Sequence, residues 1–112
     1  MASNTLSGDL ISERYGAALY DLASEKKCID DILNDFELVQ KALKESTELR
    51  QVIKSPLVNS DEKLNILLKL FSKANLHNLT TTFLKVLDNN KRISNIASII
   101  LQFKKINFRK KR

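Results

Sequence analysis

Residues 29–45 read IDDILNDFELVQKALKE, a segment that contains neither glycine nor proline. Its apolar residues recur at spacings of three and four, which is the period of a helix and not that of a strand. This spacing places six of them on one face: Ile29, Ile32, Leu33, Phe36, Val39 and Leu43. We therefore predict a helix over 29–45 whose apolar face is turned toward a core.

The same pattern extends along the rest of the chain. Its 112 residues include only two glycines and one proline, so the turn residues that a sandwich or a barrel needs are missing. Cap and breaker signals predict five further helices: Asp9 to about Lys27, Ser46 or Thr47 to Ser55, Asn59 to about Lys73, Asn75 or Asn78 to Asn90, and Ile93 to beyond Phe103. We predict an all-α fold, a compact six-helix bundle in one domain.

The positive charge is concentrated at one end of the chain. The formal net charge is +6 and the pI is about 9.6, values that permit binding to nucleic acid or to an anionic membrane surface. The whole of that net charge is accounted for by six cations in the last nine residues: Lys104, Lys105, Arg109, Lys110, Lys111 and Arg112. We therefore assign residues 1–106 to the helical domain and 107–112 to a basic tail. A basic helical nucleic-acid-binding module and a generic helical adaptor stay open as alternative functions.

Cysteine usage and the N-terminus bear on the compartment. Cys28 is the single cysteine, so an internal disulfide is excluded and a reducing compartment is favoured. No apolar run has the length that spans a bilayer. Residues 1–8 lack both the pattern of a secretory signal and the arginines of a mitochondrial presequence. These features favour a protein of the bacterial cytosol, with a processed organelle protein as the open alternative.

The residue types that perform catalysis do not assemble into a known pattern. His77 is the single histidine, which excludes the usual histidine-based metal sites, and the chain has no phosphate-binding glycine loop. The acidic pairs at 30–31 and 61–62 lie near predicted helix starts, where the helix dipole explains them. We interpret His77 as a surface residue near a helix start and Cys28 as a small packing residue. We expect no catalytic residue, no cofactor and no metal, and hence no enzyme.

The first predicted helix has apolar character over an unusually wide arc. Between Tyr15 and Ala23 the single charged residue is Asp21, and small or apolar side chains surround much of the helix. A surface helix in a small domain normally buries one stripe. The fifth helix has a similar excess. Two such helices can form a groove for an amphipathic helix, although the same residues could all belong to the core.

Several segments resemble one family. Residues 14–23, RYGAALYDLA, resemble the opening motif RYA-x-AL-F-x-LA of the ATP synthase delta subunit family, whose mitochondrial member is the oligomycin-sensitivity-conferring protein. Residues 49–56, LRQVIKSP, resemble its L-x-x-x-L-x-S-P stretch, and residues 60–63 match the x-x-x-E-K that follows. Residues 83–93, FLKVLDNNKRI, resemble its FL-x-x-L-x-x-N-x-R-(L/I) ending. The segments occur in the family order, and the resemblance covers residues 12–103.

Two departures from the family pattern have consequences. Gly16 stands where the family usually has alanine. This difference predicts that the backbone of another segment lies close to the first predicted helix at this point. The chain also ends where the family's second, smaller domain is expected. We therefore expect the C-terminal domain of the family, which carries much of the contact to the peripheral stalk, to be absent here.

The resemblance implies a non-catalytic stator subunit of the proton-translocating ATP synthase, linking the catalytic head to the peripheral stalk. The implied partners are the N-terminal helix of an alpha subunit and, mainly through the missing domain, the peripheral-stalk b subunits, without nucleic acid or direct membrane insertion. The implied location is peripheral, at the cytoplasmic face of the bacterial inner membrane, or at the matrix side in a mitochondrion. The implied partner-binding residues line a groove between the first and fifth helices: Ile11, Tyr15, Ala18 and Leu22 on the first, and Leu79, Phe83, Val86 and Asn90 on the fifth.

Overall fold

A computed structural model of the chain describes the backbone of residues 2–111 and the side chains of residues 10–111. The described residues form six α-helices and one turn of 3-10 helix, Ile93–Asn95, without a strand. The predicted all-α, six-helix fold is confirmed. The helices are α1 Ala2–Glu25, α2 Ile29–Glu45, α3 Thr47–Lys54, α4 Ser60–Leu70, α5 Asn78–Asn89 and α6 Ile96–Lys110.

The bounds of α2 and α3 follow the local sequence signals. Helix α2 has the predicted bounds, and its buried residues include Ile32, Phe36 and Val39 from the predicted face. Helix α3 begins after Ser46, whose Oγ accepts a hydrogen bond from the backbone N–H of Leu49 at 3.1 Å. It ends at Lys54 because the residue before a proline resists helical dihedral angles.

The bounds of α1 differ from the prediction at both ends. The helix begins at Ala2, so Asp9 does not stand at its start; the side chain of Asp9, and with it the predicted cap contact, lies outside the described residues. A lone glycine in the first turns costs only about 1 kcal/mol, and no proline stops the helix there. The helix ends at Glu25 because Lys27 takes a positive φ of 57°. The Cys28 N–H then bonds the Ala23 carbonyl at 2.9 Å, as in a Schellman motif.

Helices α4 and α6 also end elsewhere than expected. Helix α4 ends at Leu70, three residues before the predicted end at Lys73, and turns follow it. Helix α6 continues to Lys110, so residues 107–110 of the predicted basic tail are helical. Nothing in that segment breaks a helix, and cations in a last turn are favourable to the helix dipole.

The closest helix pair is α1 with α6, which run in the same direction. A Cβ added at Gly16 would lie 2.9 Å from the Cβ of Gln102 and 3.2 Å from the backbone nitrogen of Phe103. One turn later the hydroxyl of Tyr20 donates to Asn107 Oδ1 at 3.3 Å. The close backbone approach predicted at Gly16 is confirmed, and it fixes α1 on the core.

Helix α5 is tethered to α2 through a buried carboxylate. Asp35 Oδ2 accepts a hydrogen bond from the backbone N–H of His77 at 2.8 Å and from the hydroxyl of Thr80 at 2.6 Å. His77 is half-buried and caps α5, since its Nδ1 accepts from the Leu79 N–H at 3.0 Å. The interpretation of His77 as a surface residue near a helix start agrees with its place at the start of α5, where the residue is half-buried.

Three phenylalanine rings pack together in the core of the bundle. The rings of Phe36 and Phe103 meet edge-on with centroids 5.3 Å apart, and Phe83 lies 6.5 Å from Phe36 on the other side. This aromatic cluster joins α2, α5 and α6 at the centre of the bundle.

None of the helices in the described part of the chain is long and apolar enough to span a bilayer.

Candidate functional site

Helices α1 and α5 meet at Tyr15. Its ring contacts Phe83 edge-on, with centroids 6.3 Å apart and planes at 69°. Its hydroxyl accepts a hydrogen bond from Asn90 Nδ2 at 2.9 Å. Three residues that the family resemblance nominated, distant in sequence, therefore contact one another directly.

The other residues that the family resemblance implies for partner binding differ in their burial. Leu79 and Phe83 are each only 8% exposed and lie below the surface. Leu22 is 38% exposed and Val86 is 42% exposed, so they are not core residues. Ile11 is half-buried, whereas Ala18 and Asn90 are exposed. The interpretation that every apolar residue of these two stripes belongs to the core is wrong for Leu22 and Val86.

A shallow cavity of about 360 Å³ opens at the Tyr15 end of the junction. Its walls come from α1 and from the turn after α5. Three of its residues were nominated from sequence and two, Arg14 and Arg92, were not; the five are Ile11, Arg14, Tyr15, Ala18 and Arg92. The middle of α1, residues 11–18, thus lies beside the turn that follows α5. Both missed arginines belong to the segments that resemble the family, which was the available signal for them.

The position of Arg92 follows from the way α5 ends. Lys91 takes a positive φ of 58°, and the Arg92 N–H bonds the carbonyl of Leu87 at 2.7 Å. Together with the bond from the Lys91 N–H to the Asp88 carbonyl at 2.9 Å, this is a Schellman motif. The motif ends α5, and the next residue, Arg92, lines the cavity together with residues of α1.

Charge is distributed unevenly along the junction. Among the side chains of residues 10–111, neither Arg14 nor Arg92 forms an ion pair. The single ion pair among these side chains joins Lys104 on α6 to Glu37 on α2. Asp21 follows Arg14 by two helical turns, about 10 Å along α1. Two cations therefore stand at one end of the junction, and an exposed acid lies toward the other.

Reactive chemistry is not evident in the described residues. Within residues 10–111, no group of three His, Cys, Asp or Glu side chains could hold a metal ion. Burial raises the pKa of the Cys28 thiol, the nearby Asp31 charge raises it further, and Lys26 opposes them. The thiol is therefore protonated, and poorly nucleophilic, at neutral pH.

Larger depressions lie elsewhere on the described surface, and two of them carry exposed apolar residues. One of about 640 Å³ is bordered by α2, α3 and α4 and includes the exposed Ile66 and Leu70. Another of about 1000 Å³ lies between α2 and α6 beside the exposed Leu38 and Leu101. Size alone therefore does not single out the α1/α5 junction; the family resemblance does.

Comparison with known proteins agrees with that resemblance. The model of the family "ATP synthase delta (OSCP) subunit" matches residues 11–112. The ATP synthase subunit delta of Nitrobacter winogradskyi is 37% identical over 94 residues, covering 84% of this chain and 50% of the relative.

Two further relatives give the same result. The ATP synthase subunit delta of Carboxydothermus hydrogenoformans is 37% identical over 93 residues, 83% of this chain and 51% of the relative. That of Chlorobium phaeobacteroides is 35% identical over 98 residues, 88% of this chain and 54% of the relative. The chain spans about half the length of the curated relatives it matches. Because the family model covers nearly all of its described residues, the chain belongs to the ATP synthase delta (OSCP) subunit family.

Proposed function

We propose that the chain acts as a non-catalytic stator subunit of a proton-translocating ATP synthase, in which the α1/α5 groove holds the N-terminal helix of an alpha subunit. The observation that carries this proposal is the contact of Tyr15 with Phe83 and Asn90, on two helices that also expose the apolar side chains of Leu22 and Val86. An amphipathic helix laid along the two flanks would cover apolar surface that the fold leaves in water.

The physical role of such a grip is to resist torque. A stator keeps the catalytic head from turning with the rotor, so its contacts must survive load at cellular ionic strength. Apolar burial suits this role because salt does not screen it, as it screens exposed ion pairs. A stable interface of ordinary size buries about 1,600 Å² in total, which is within reach of one helix in a groove together with contacts at its rim.

Membership of the family favours this function over a nucleic-acid-binding module. The cations of α6 are also partly engaged within the fold, since Lys104 forms an ion pair with Glu37 and a hydrogen bond with Gln40. We assign contact with the peripheral-stalk b subunits mainly to the second domain of the family. The subunit would lie peripherally, on the cytoplasmic side of a bacterial membrane or the matrix side of a mitochondrial one.

The test is a titration of the chain with a peptide that carries the N-terminal segment of the alpha subunit from the same genome. We expect binding that persists at moderate salt. Val86→Glu should weaken it at least about tenfold, because the substitution removes an apolar contact and places a charge against the partner's apolar face. Leu57→Glu is the matched control, since Leu57 is 93% exposed in the loop between α3 and α4. Absence of binding by the folded chain would contradict the proposed function.

A further inference from the structure

The groove between α1 and α5 has a polar end. Arg14 and Arg92, from two different segments of the chain, line the cavity of about 360 Å³ together with Tyr15. Arg14 is exposed and Arg92 is half-buried. Among the described side chains, neither has an acidic partner. The apolar stripes of the groove do not explain why two cations meet there.

The hydroxyl of Tyr15 adds a hydrogen-bond donor to the same place. A phenol oxygen can accept hydrogen bonds and donate one. In this structure it accepts from Asn90 Nδ2 at 2.9 Å, which leaves its own proton to be donated elsewhere. Two guanidinium groups and one hydroxyl, all donors, are the groups that bind a carboxylate.

The local charge balance favours an anion at this end. The sequence has no aspartate or glutamate after Asp88, so the segment that carries Arg92 is purely basic. On α1, Glu13 lies about 100° around the helix from Arg14 and projects away from the groove stripe. Asp21, which lies on the same side of α1 as Arg14, is two helical turns away from it. The partner must therefore supply the negative charge.

We infer that the helix held in the α1/α5 groove carries an aspartate or glutamate whose carboxylate binds between Arg14 and Arg92 and accepts a hydrogen bond from the Tyr15 hydroxyl. This inference rests on the proposed function and adds a specificity element to it. Apolar stripes alone allow a bound helix to shift by a turn or to lie in the reverse direction. A carboxylate receptor at one end selects a single register, because any other placement leaves the cations unpaired or puts a partner's apolar residue against them.

The experiment uses the same chain and the same alpha-subunit peptide, with affinity measured by calorimetric titration. The variants are R14Q, R92Q, the double variant and Y15F, and R109Q is the matched control because it removes one exposed charge at the far end of α6. A second set of peptides changes each acidic residue to its amide. Melting curves check that every variant folds.

We expect the double variant to bind about tenfold more weakly at low salt, with Y15F and each single variant intermediate and R109Q unchanged. One acidic residue of the peptide should matter for the parent chain and lose its effect in the double variant, which is the mark of direct coupling. The difference between parent and double variant should shrink as salt is raised from about 20 mM to about 300 mM.

Two results would overturn the inference and tell it apart from the proposed function. If the peptide binds, V86E weakens it, and the double arginine variant binds as the parent does at low salt, the carboxylate receptor is refuted while the groove stands. The carboxylate receptor is also refuted if each substitution of an acidic residue in the peptide changes the affinity equally for the parent chain and for the double arginine variant. If the peptide does not bind the parent chain, the inference falls together with the proposed function.

Discussion

Replacing Gly16 by alanine tests the packing on which the groove depends. The added Cβ would lie 2.9 Å from the Cβ of Gln102, 3.2 Å from the nitrogen of Phe103 and 3.4 Å from the carbonyl carbon of Gln102. Carbon atoms attract each other best at separations of about 3.5–4.0 Å, so the first contact is repulsive. The obstacles are a Cβ and backbone atoms, which cannot rotate away. Helices α1 and α6 must therefore separate to admit the methyl group.

The net effect is the difference between two opposing terms. Overpacking of a buried position costs about 1–3 kcal/mol. Alanine in place of glycine within a helix returns about 1 kcal/mol through helix propensity. We expect Gly16→Ala to lower the free energy of unfolding by about 1 kcal/mol, which corresponds to a fall in Tm of about 4 °C for a domain of this size. The displaced helix also carries Tyr15, so peptide binding should weaken together with stability.

Denaturation followed by circular dichroism measures this effect. Ala17→Gly is the control, because Ala17 is exposed on the same helix and the substitution changes propensity alone, at a cost of about 1 kcal/mol. Adding Gln102→Gly to Gly16→Ala removes the atom that the new methyl group meets, so the two changes should cost less together than the sum of their separate effects. A rise in Tm for Gly16→Ala by the full propensity gain would refute the close approach of α1 and α6.

Two further predictions concern groups buried away from the groove. Asp35→Asn should lower the free energy of unfolding, measured by urea denaturation, by about 1–3 kcal/mol, because the carboxylate accepts hydrogen bonds from His77 and Thr80 at the start of α5. Asp30→Asn, at an exposed position of the same helix, is the control. If both substitutions lower the free energy of unfolding equally, the link between α2 and α5 through Asp35 is contradicted. The Cys28 thiol should react with an alkylating reagent more slowly than free cysteine at neutral pH. The lower rate should persist as the pH rises toward 9, because burial raises the pKa of this thiol above its ordinary value of 9.0. The denatured chain is the control, and a rate for the native chain equal to that of free cysteine would contradict the burial of Cys28.

The sequence predicts best those elements whose signals are local. Helix α2 needs no more than a breaker-free segment of helical period, and α3 is bounded by the cap at Ser46 and by Pro56. Helices α1 and α6 have no such stop signal at their outer ends, so the period alone could not say how far they extend. His77 caps α5 through an imidazole nitrogen, and its position depends on Asp35, 42 residues earlier. A contact at that separation leaves no mark in the local pattern.

The groove likewise combines features that the sequence predicts with features that depend on the tertiary structure. Its apolar stripes follow helical spacing and could be nominated from the resemblance, with Tyr15 and Phe83 meeting as expected. The presence of Arg14 and Arg92 at one cavity could not be predicted, because it depends on the positive φ at Lys91 and on the way in which α5 ends. A positive φ at lysine is not encoded by residue type, as it would be by glycine. The charged end of the groove is therefore a property of the tertiary structure.

The two sides of the groove are held by different parts of the core. Helix α1 is fixed against α6 by the contact at Gly16, while α5 is fixed to α2 by the bonds to Asp35. The Tyr15–Asn90 hydrogen bond then joins the two sides directly. Under the proposed function, a groove braced in this way exists before the partner helix binds, so the cost of ordering on binding would fall on that helix and not on this chain. The proposed torque-resisting role would require rigidity of this kind, because a groove that formed only around its partner would yield when the partner was pulled.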